Sequence, residues 1–312
     1  DVDGDGWQDI LVANDGRPNH LWMNRQDGTF REEAVLRGIA CNATGEPQAN
    51  MGIAVGDVDG DGLFDVYITH LTEQRNVLWM QGPRGMFLDR TAVAGTTNAA
   101  WRGTGFGTVF ADFDQDGWLD LAVVNGRVTR SRSPEAQLPP APNLDPHWRP
   151  YAERNQLFAG AGAGKFRDIS AECPGFCGQP NVARALAMGD VDGDGAIDLL
   201  ATAVAEPVRL YRNCVAKRGH WLQVRAVEPA LGGRDSYGAE ITIQAGSRQQ
   251  VGWVVPGSSY LVSNDPRVHF GLGEAVEVGR VEVVWPDGSR EVFRGGPVDR
   301  LLEVRKGEGT SP

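Results

Sequence analysis

One phrase recurs four times along this chain and narrows what it can fold into: DVDGDGWQD from Asp1, DVDGDGLFD from Asp57, DFDQDGWLD from Asp112 and DVDGDGAID from Asp190. The loops start 56, 55 and 78 residues apart. A period near 55 suits a β-propeller blade of four short strands, and the third interval is that unit enlarged by about 23 residues. The enlargement is VTRSRSPEAQLPPAPNLDPHWRP, at about 127–150, basic and proline-rich. It has no apolar periodicity and is expected to be a surface loop or a partly extended segment.

Around each loop the same strand signals return. The loop leads into ILVAN, VYITH, LAVVN or LLATA, and then into HLWMN, NVLWMQ, NQLFAG or RLYRN. A glycine turn opens GTFREEA, GMFLDRTA or GKFRDISA, and a small-residue strand such as MGIAVGD or FGTVFAD enters the next loop. These runs read as neighbouring short strands, and small residues suit strands crowded around a propeller axis. Sustained helical periodicity is scarce, which argues against alternating strands and helices. The 41 Gly and 18 Pro residues, without a collagen-like period, favour many tight turns and an all-β class.

Within the loop, carboxylates stand at positions 1, 3, 5 and 9, glycine at position 6, and position 7 can offer its main-chain carbonyl. The expected metal ligands are Asp1, Asp3, Asp5, Asp9 and the carbonyl of Trp7, then Asp57, Asp59, Asp61, Asp65 and Leu63. The third and fourth sets are Asp112, Asp114, Asp116, Asp120 and Trp118, and Asp190, Asp192, Asp194, Asp198 and Ala196. Such an oxygen cage suits Ca²⁺, which takes six to eight hard ligands at roughly 2.3–2.6 Å, whereas Mg²⁺ demands a stricter octahedron. The glycine permits the sharp bend that turns alternate side chains inward. A β run follows and no Glu stands at position 12, so the loop differs from an EF-hand and the ninth aspartate is expected to close the cage. The reading is one Ca²⁺ per loop, four in all, each stapling two strands. A plainer reading makes Asp and Gly mere hairpin residues, but it leaves close carboxylates repelling one another with no counter-charge.

The formal charge of −11 is concentrated, because 16 of the 41 acidic residues sit in these loops. Four divalent ions would leave about −3, so the acidity is mostly that of metal sites. It argues against nucleic-acid partners. No run approaches the roughly 18 apolar residues of a membrane helix, so no membrane insertion by these residues is expected. Four cysteines permit two disulfides in an oxidising compartment. Cys173 and Cys177 flank PGF, close enough for a strained turn disulfide or a thiol pair, and the disulfide is the favoured reading. Cys41 and Cys214 remain as alternative partners.

The repeats resemble the FG-GAP/VCBS units of integrin-α-type propellers, with Gly105, Phe106 and Gly107 matching the FG of that name. The resemblance covers about residues 1–214 and implies Ca²⁺ loops that stabilise one side of the propeller. Seven blades would need roughly 385 residues, so further N-terminal blades are expected unless the ring closes unusually or by assembly. Residues 215–312 resemble the ASPIC/UnbV domain through HWL at 220–222, YGAEI at 237–241, HFGLG at 269–273 and VVWPDG at 283–288. Independently, VEVVW, the Pro286-Asp287-Gly288 turn and REVF indicate a hairpin in a small β-sandwich-like module. The combination resembles the cartilage acidic protein family, which implies secretion or a cell-surface location, calcium binding and an interaction role.

Other signals point to structure. The five histidines at 20, 70, 147, 220 and 269 are scattered and form no catalytic or zinc set. Gly103-Gly105-Gly107 and Gly160-Gly162-Gly164 lack the following helix of a phosphate loop, and Gly257-Ser258-Ser259-Tyr260 lacks the pattern of a nucleophile elbow. The functional expectation is therefore an extracellular module binding protein or glycan, with structural Ca²⁺. The alternative is a secreted hydrolase or cyclase using His147, Trp148, Arg149 and Tyr151 of the insertion on a propeller face.

Overall fold

The computed structural model describes residues 1–97, 102–130, 144–216 and 218–312, and the fold is all-β. Four antiparallel meanders follow one another. The first comprises β1 (Ile10–Val12), β2 (His20–Asn24) and β3 (Phe30–Glu32). The second comprises β4 (Ile53–Gly56), β5 (Asp65–Ile68), β6 (Val77–Gln81) and β7 (Phe87–Asp89). The third comprises β8 (Gly105–Ala111), β9 (Asp120–Asn125), β10 (Gln156–Gly160) and β11 (Phe166–Asp168), and the fourth β12 (Ala183–Gly189), β13 (Asp198–Ala203) and β14 (Glu206–Tyr211). These are the blades read from the repeat.

In register, Gly56 faces Asp65, Ala111 faces Asp120 and Gly189 faces Asp198. The second, third and fourth aspartate loops thus connect the first two strands of their blades, and the first loop leads directly into β1. Apolar faces of neighbouring blades close on each other: Phe110 of β8 meets Tyr67 of β5 edge to face at 6.2 Å, in a core shared with Leu78, Leu121 and Phe166. Small residues line the innermost strands because the blades converge there. A Cβ on Gly107 would lie 2.4 Å from the amide nitrogen of Leu186 in the next blade.

The single-turn helices α1 (Thr91–Ala94) and α2 (Pro174–Cys177) link outer strands to the next blade. The α2 turn corrects the expected Cys173–Cys177 disulfide, since all four cysteines are free thiols. The Cys177 amide donates to the Cys173 carbonyl at 2.9 Å, a helical spacing. That spacing separates Cβ atoms by about 5–6 Å, whereas a disulfide needs about 3.5–4.5 Å. Burial pushes the Cys177 thiol up to about 12.

Residues 131–143 of the insertion lie outside the described residues. Its end differs from the expected surface loop: Leu144 is buried against Val182, with Trp148, Tyr151 and Ala152 packed around them. No helix among the described residues is long and apolar enough to cross a membrane.

Beyond β14 the chain forms two facing sheets. In one, β15 (His220–Glu228) lies beside β16 (Arg234–Asp235) and β19 (Val268–Gly273) and pairs in parallel with β22 (Arg300–Arg305). In the other, β18 (Arg248–Trp253), β17 (Glu240–Ala245), β20 (Glu277–Val284) and β21 (Arg290–Pro297) are adjacent in that order. Leu222, Val224, Ile241, Ile243, Phe270, Val281, Val283 and Trp285 fill the space between them. The expected hairpin is present: Val284 faces Arg290, and Gly288 turns at φ 80°.

Between β18 and β19 a loop leaves this sandwich and enters the centre of the blades. Ser259 exchanges main-chain hydrogen bonds with Ile53 of β4 and donates its Oγ to the Leu186 carbonyl of β12 at 2.7 Å. The same Oγ accepts the Thr108 amide of β8 at 3.1 Å. Tyr260 meets Phe106 edge to face at 5.1 Å.

Candidate metal centres

The four loops share one hydrogen-bonding plan. The first aspartate accepts amides from across the loop: Gly4, Asp5 and Gly6 bind Asp1, and Gly60, Asp61 and Gly62 bind Asp57. Asp116 and Gly117 bind Asp112, and Gly193, Asp194 and Gly195 bind Asp190. This wraps the backbone around one carboxylate and requires left-handed residues at positions 4 and 6. Glycine fills these except in the third loop, where Gln115 adopts φ 61°. Its side chain donates to the Gly195 carbonyl at 2.7 Å, which holds the conformation.

The fifth aspartate accepts the amide of position 7, from Trp7, Leu63, Trp118 and Ala196 in turn, at 2.8–2.9 Å. The ninth divides its two oxygens. One accepts the amide of position 2, and the other an amide at or beyond the end of the second strand after the loop: Asn24 for Asp9, Gln81 for Asp65, Gly160 for Asp120 and Asn213 for Asp198.

Carboxylate oxygens lie within 4.8 Å of one another in Asp1/Asp3/Asp5, Asp57/Asp59/Asp61, Asp112/Asp114/Asp120 and Asp190/Asp192/Asp194. Each group could hold a metal ion. The ninth aspartate, expected to close every cage, joins such a group only in the third loop; elsewhere its place is the amide brace just described. Like charges about 4 Å apart repel by about 1 kcal/mol in water and about 4 kcal/mol at the effective dielectric near a protein surface.

Buried Oδ1 atoms of Asp3 and Asp114 have no hydrogen-bond donor. Burial raises Asp57 to about 6, Asp65 and Asp112 to about 8 and Asp120 to about 7, and it raises Asp59 and Asp116 as well. A donor set made only of carboxylate oxygens, crowded, partly desolvated and with unpartnered lone pairs, fits a hard cation.

The loops differ in their neighbours. Arg37 pairs with Asp3 at 3.0 Å in the first, and Arg212 with Asp192 at 2.6 Å in the fourth. The Ala196 amide, with Arg218 and Arg212, holds the Asp194 carboxyl below its usual range. No ion pair of this kind reaches Asp57, Asp59, Asp61 or Asp65 among the described residues.

The remaining sequence candidates fall into packing roles. His147, Trp148 and Tyr151 cluster as rings 5.0–6.3 Å apart, and Arg149 donates to the Leu144 carbonyl. Ser259, set aside as a nucleophile, is the tie between blades. Sequence reasoning missed Gln223, whose amide reaches Asp190 at 3.1 Å, and His269, whose Nε2 donates to the Gly195 carbonyl at 2.8 Å. The histidine's place in HFGLG was the only available signal.

Comparison with known proteins agrees with this layout. The FG-GAP-like repeat family model matches residues 1–68 and 57–123, which contain the first three loops, and the ASPIC and UnbV model matches residues 231–311. Cartilage acidic protein 1 of Xenopus tropicalis is 26% identical over 318 residues, covering 95% of this chain and 42% of that protein. The Homo sapiens protein is 28% identical over 310 residues, again 95% and 42%. The chain thus spans about two fifths of the length of these curated relatives. A solved Agrocybe aegerita lectin, described by its recognition of non-reducing terminal N-acetylglucosamine, aligns at 17% identity with a TM-score of 0.38. It covers 69% of this chain and 51% of that one, and at that score the likeness carries no argument. The chain therefore carries FG-GAP-like repeats followed by an ASPIC and UnbV domain, and cartilage acidic protein 1 is its homologue over most of its length.

Proposed function

We propose that this chain is the calcium-stabilised part of an extracellular interaction module that binds a protein or a glycan. The observation that carries the reading is the convergence of carboxylates in all four loops, with buried, unpartnered oxygens on Asp3 and Asp114. The first, third and fifth aspartates would hold the ion in the first, second and fourth loops, and Asp112, Asp114 and Asp120, without Asp116, in the third. Bound Ca²⁺ supplies positive charge that offsets carboxylate repulsion and ties the first two strands of a blade together. An extracellular setting supports the reading, because modules there work with calcium affinities of about 10⁻⁴–10⁻³ M. Cartilage acidic protein 1 supplies the analogy for secretion.

Calorimetric titration of metal-free protein with Ca²⁺ tests the ion assignment, and about one ion per loop is expected. A folded protein that takes up none overturns it. Screening calcium-loaded and metal-free protein against glycan arrays and extracellular domains tests the interaction role. Turnover in a panel of hydrolase and cyclase substrates would instead establish an enzyme.

A further inference from the structure

The C-terminal sandwich rests directly on the third and fourth aspartate loops. Its β15 supplies Gln223, 2% exposed, whose Nε2 donates to Asp190 Oδ2 at 3.1 Å. Its β19 supplies His269 to the Gly195 carbonyl and the Gly273 amide to the Gln115 carbonyl, both at 2.8 Å. Just before β15, the Gly219 amide donates to the Asp114 carbonyl at 3.1 Å. The fit is close enough to dictate residue size. A Cβ on Gly271 would lie 1.9 Å from Asp112 Oδ2, and one on Gly195 would lie 1.9 Å from the Trp221 ring. Loop two is different: among the described residues, no hydrogen bond to Asp57, Asp59, Asp61 or Asp65 comes from residues 218–312.

Resting on the calcium reading above, we propose that the C-terminal domain completes the third and fourth metal sites, so that its docking and the filling of those two loops are one linked equilibrium. Gln223 and the His269–Gly273 segment are positioning residues. A neutral amide such as Gln223 orients the Asp190 carboxylate without neutralising it, which is what a group behind a metal ligand must do. The His269 ring is kept neutral by burial, its pKa lowered to about 4, so it too adds a directed donor without a competing charge. Linkage is reciprocal: whatever the docked domain adds to ion affinity, the ions add to docking.

The test uses the whole chain and Tb³⁺ as a calcium probe, with luminescence sensitised by Trp118, whose ring lies between loops two and three, and by Trp221 against loop four. Trp118→Phe and Trp221→Phe assign the two signals. Gln223→Leu should weaken the Trp221-sensitised site about tenfold or more, with a smaller loss in the Trp118-sensitised signal passed on through the shared docking. Hydrogen exchange supplies the reciprocal readout, and it holds even if Gln223→Leu does not fold. Asp192→Asn should raise exchange in β15 and β19, whereas Asp59→Asn should leave those strands protected. If Tb³⁺ and Ca²⁺ bind none of the loops, the calcium reading itself fails. If they bind with wild-type affinity in Gln223→Leu, or if Asp192→Asn loses its ion while β15 and β19 stay protected, the linkage is overturned.

Discussion

Asp120 accepts the main-chain amide of Gly160 at 2.8 Å across 40 residues of sequence that include the whole insertion. Its second oxygen accepts the Phe113 amide at 2.9 Å. The ninth aspartate is thus a brace between the loop and the end of the second strand after it. An amide in its place would turn one NH₂ towards a main-chain N–H. Leaving a buried donor without a partner costs about 1–3 kcal/mol. Asp120→Asn should lose stability of that order in urea unfolding, and saturating calcium should restore only the part that comes from the weakened ion.

Asp114→Ala should behave differently, since its Oδ1 has no donor to lose. The substitution weakens the ion and leaves Asp112 and Asp120 facing each other. Melting should fall at low calcium and recover in part at saturating calcium. Wild-type calcium content with lost partner binding would make the loop a direct recognition site instead.

Removing calcium should lower the melting temperature, because an ion bound only by the folded chain stabilises it by RT ln(1 + [L]/Kd). At one hundred times Kd this is about 2.7 kcal/mol for each independent site. Calorimetry with and without chelator measures it, and unchanged melting after proven metal loss contradicts a stabilising role.

Metal-free protein should show an inverted pH dependence. Asp57, Asp65, Asp112 and Asp120 have folded pKa values of about 6, 8, 8 and 7, raised by burial above the unfolded carboxylate range near 4. The folded state therefore binds more protons, and these groups make stability fall as pH rises from about 4 to 8. At Asp57, Asp112 and Asp120 calcium takes the place of the proton, so its stabilising effect should grow over the same window. Urea midpoints at pH 5 and pH 8, with and without calcium, decide the sign.

Arg212 and Arg218 place positive charge on Asp192 and Asp194. Both ion pairs are partly solvent-exposed and each is weak. The double variant Arg212→Ala/Arg218→Ala should bind calcium a few-fold more tightly at the fourth loop, read by Trp221-sensitised Tb³⁺ titration.

What could be read in advance was whatever the chain encodes locally. The four loops, their glycine bends and the Pro286-Asp287-Gly288 hairpin are short-range patterns, and each lies where its residues imply. The Cys173–Cys177 spacing was equally local, but Pro174 starts a helical turn there and separates the thiols. Gln223, Gly271 and Ser259 were illegible for another reason. Each takes its role from a partner 30 or more positions away, and nothing in QVR, FGL or SSY marks that partner. The ninth aspartate was visible as an acid, but the second of its two amide partners lies 15 to 40 positions further on.

The Ser259 contacts also set a timetable. Its Oγ joins Leu186 and Thr108, 73 and 151 positions earlier, and contacts of such long range form late. During synthesis, β4, β8 and β12 leave the ribosome well before the residue that clasps them. A nascent chain therefore carries three inner strands with open polar groups until residue 259 has emerged, the interval in which unpaired strands are most prone to aggregate. In refolding, protease resistance of those strands should arrive with the slowest phase, and a fragment ending before residue 255 should never acquire it.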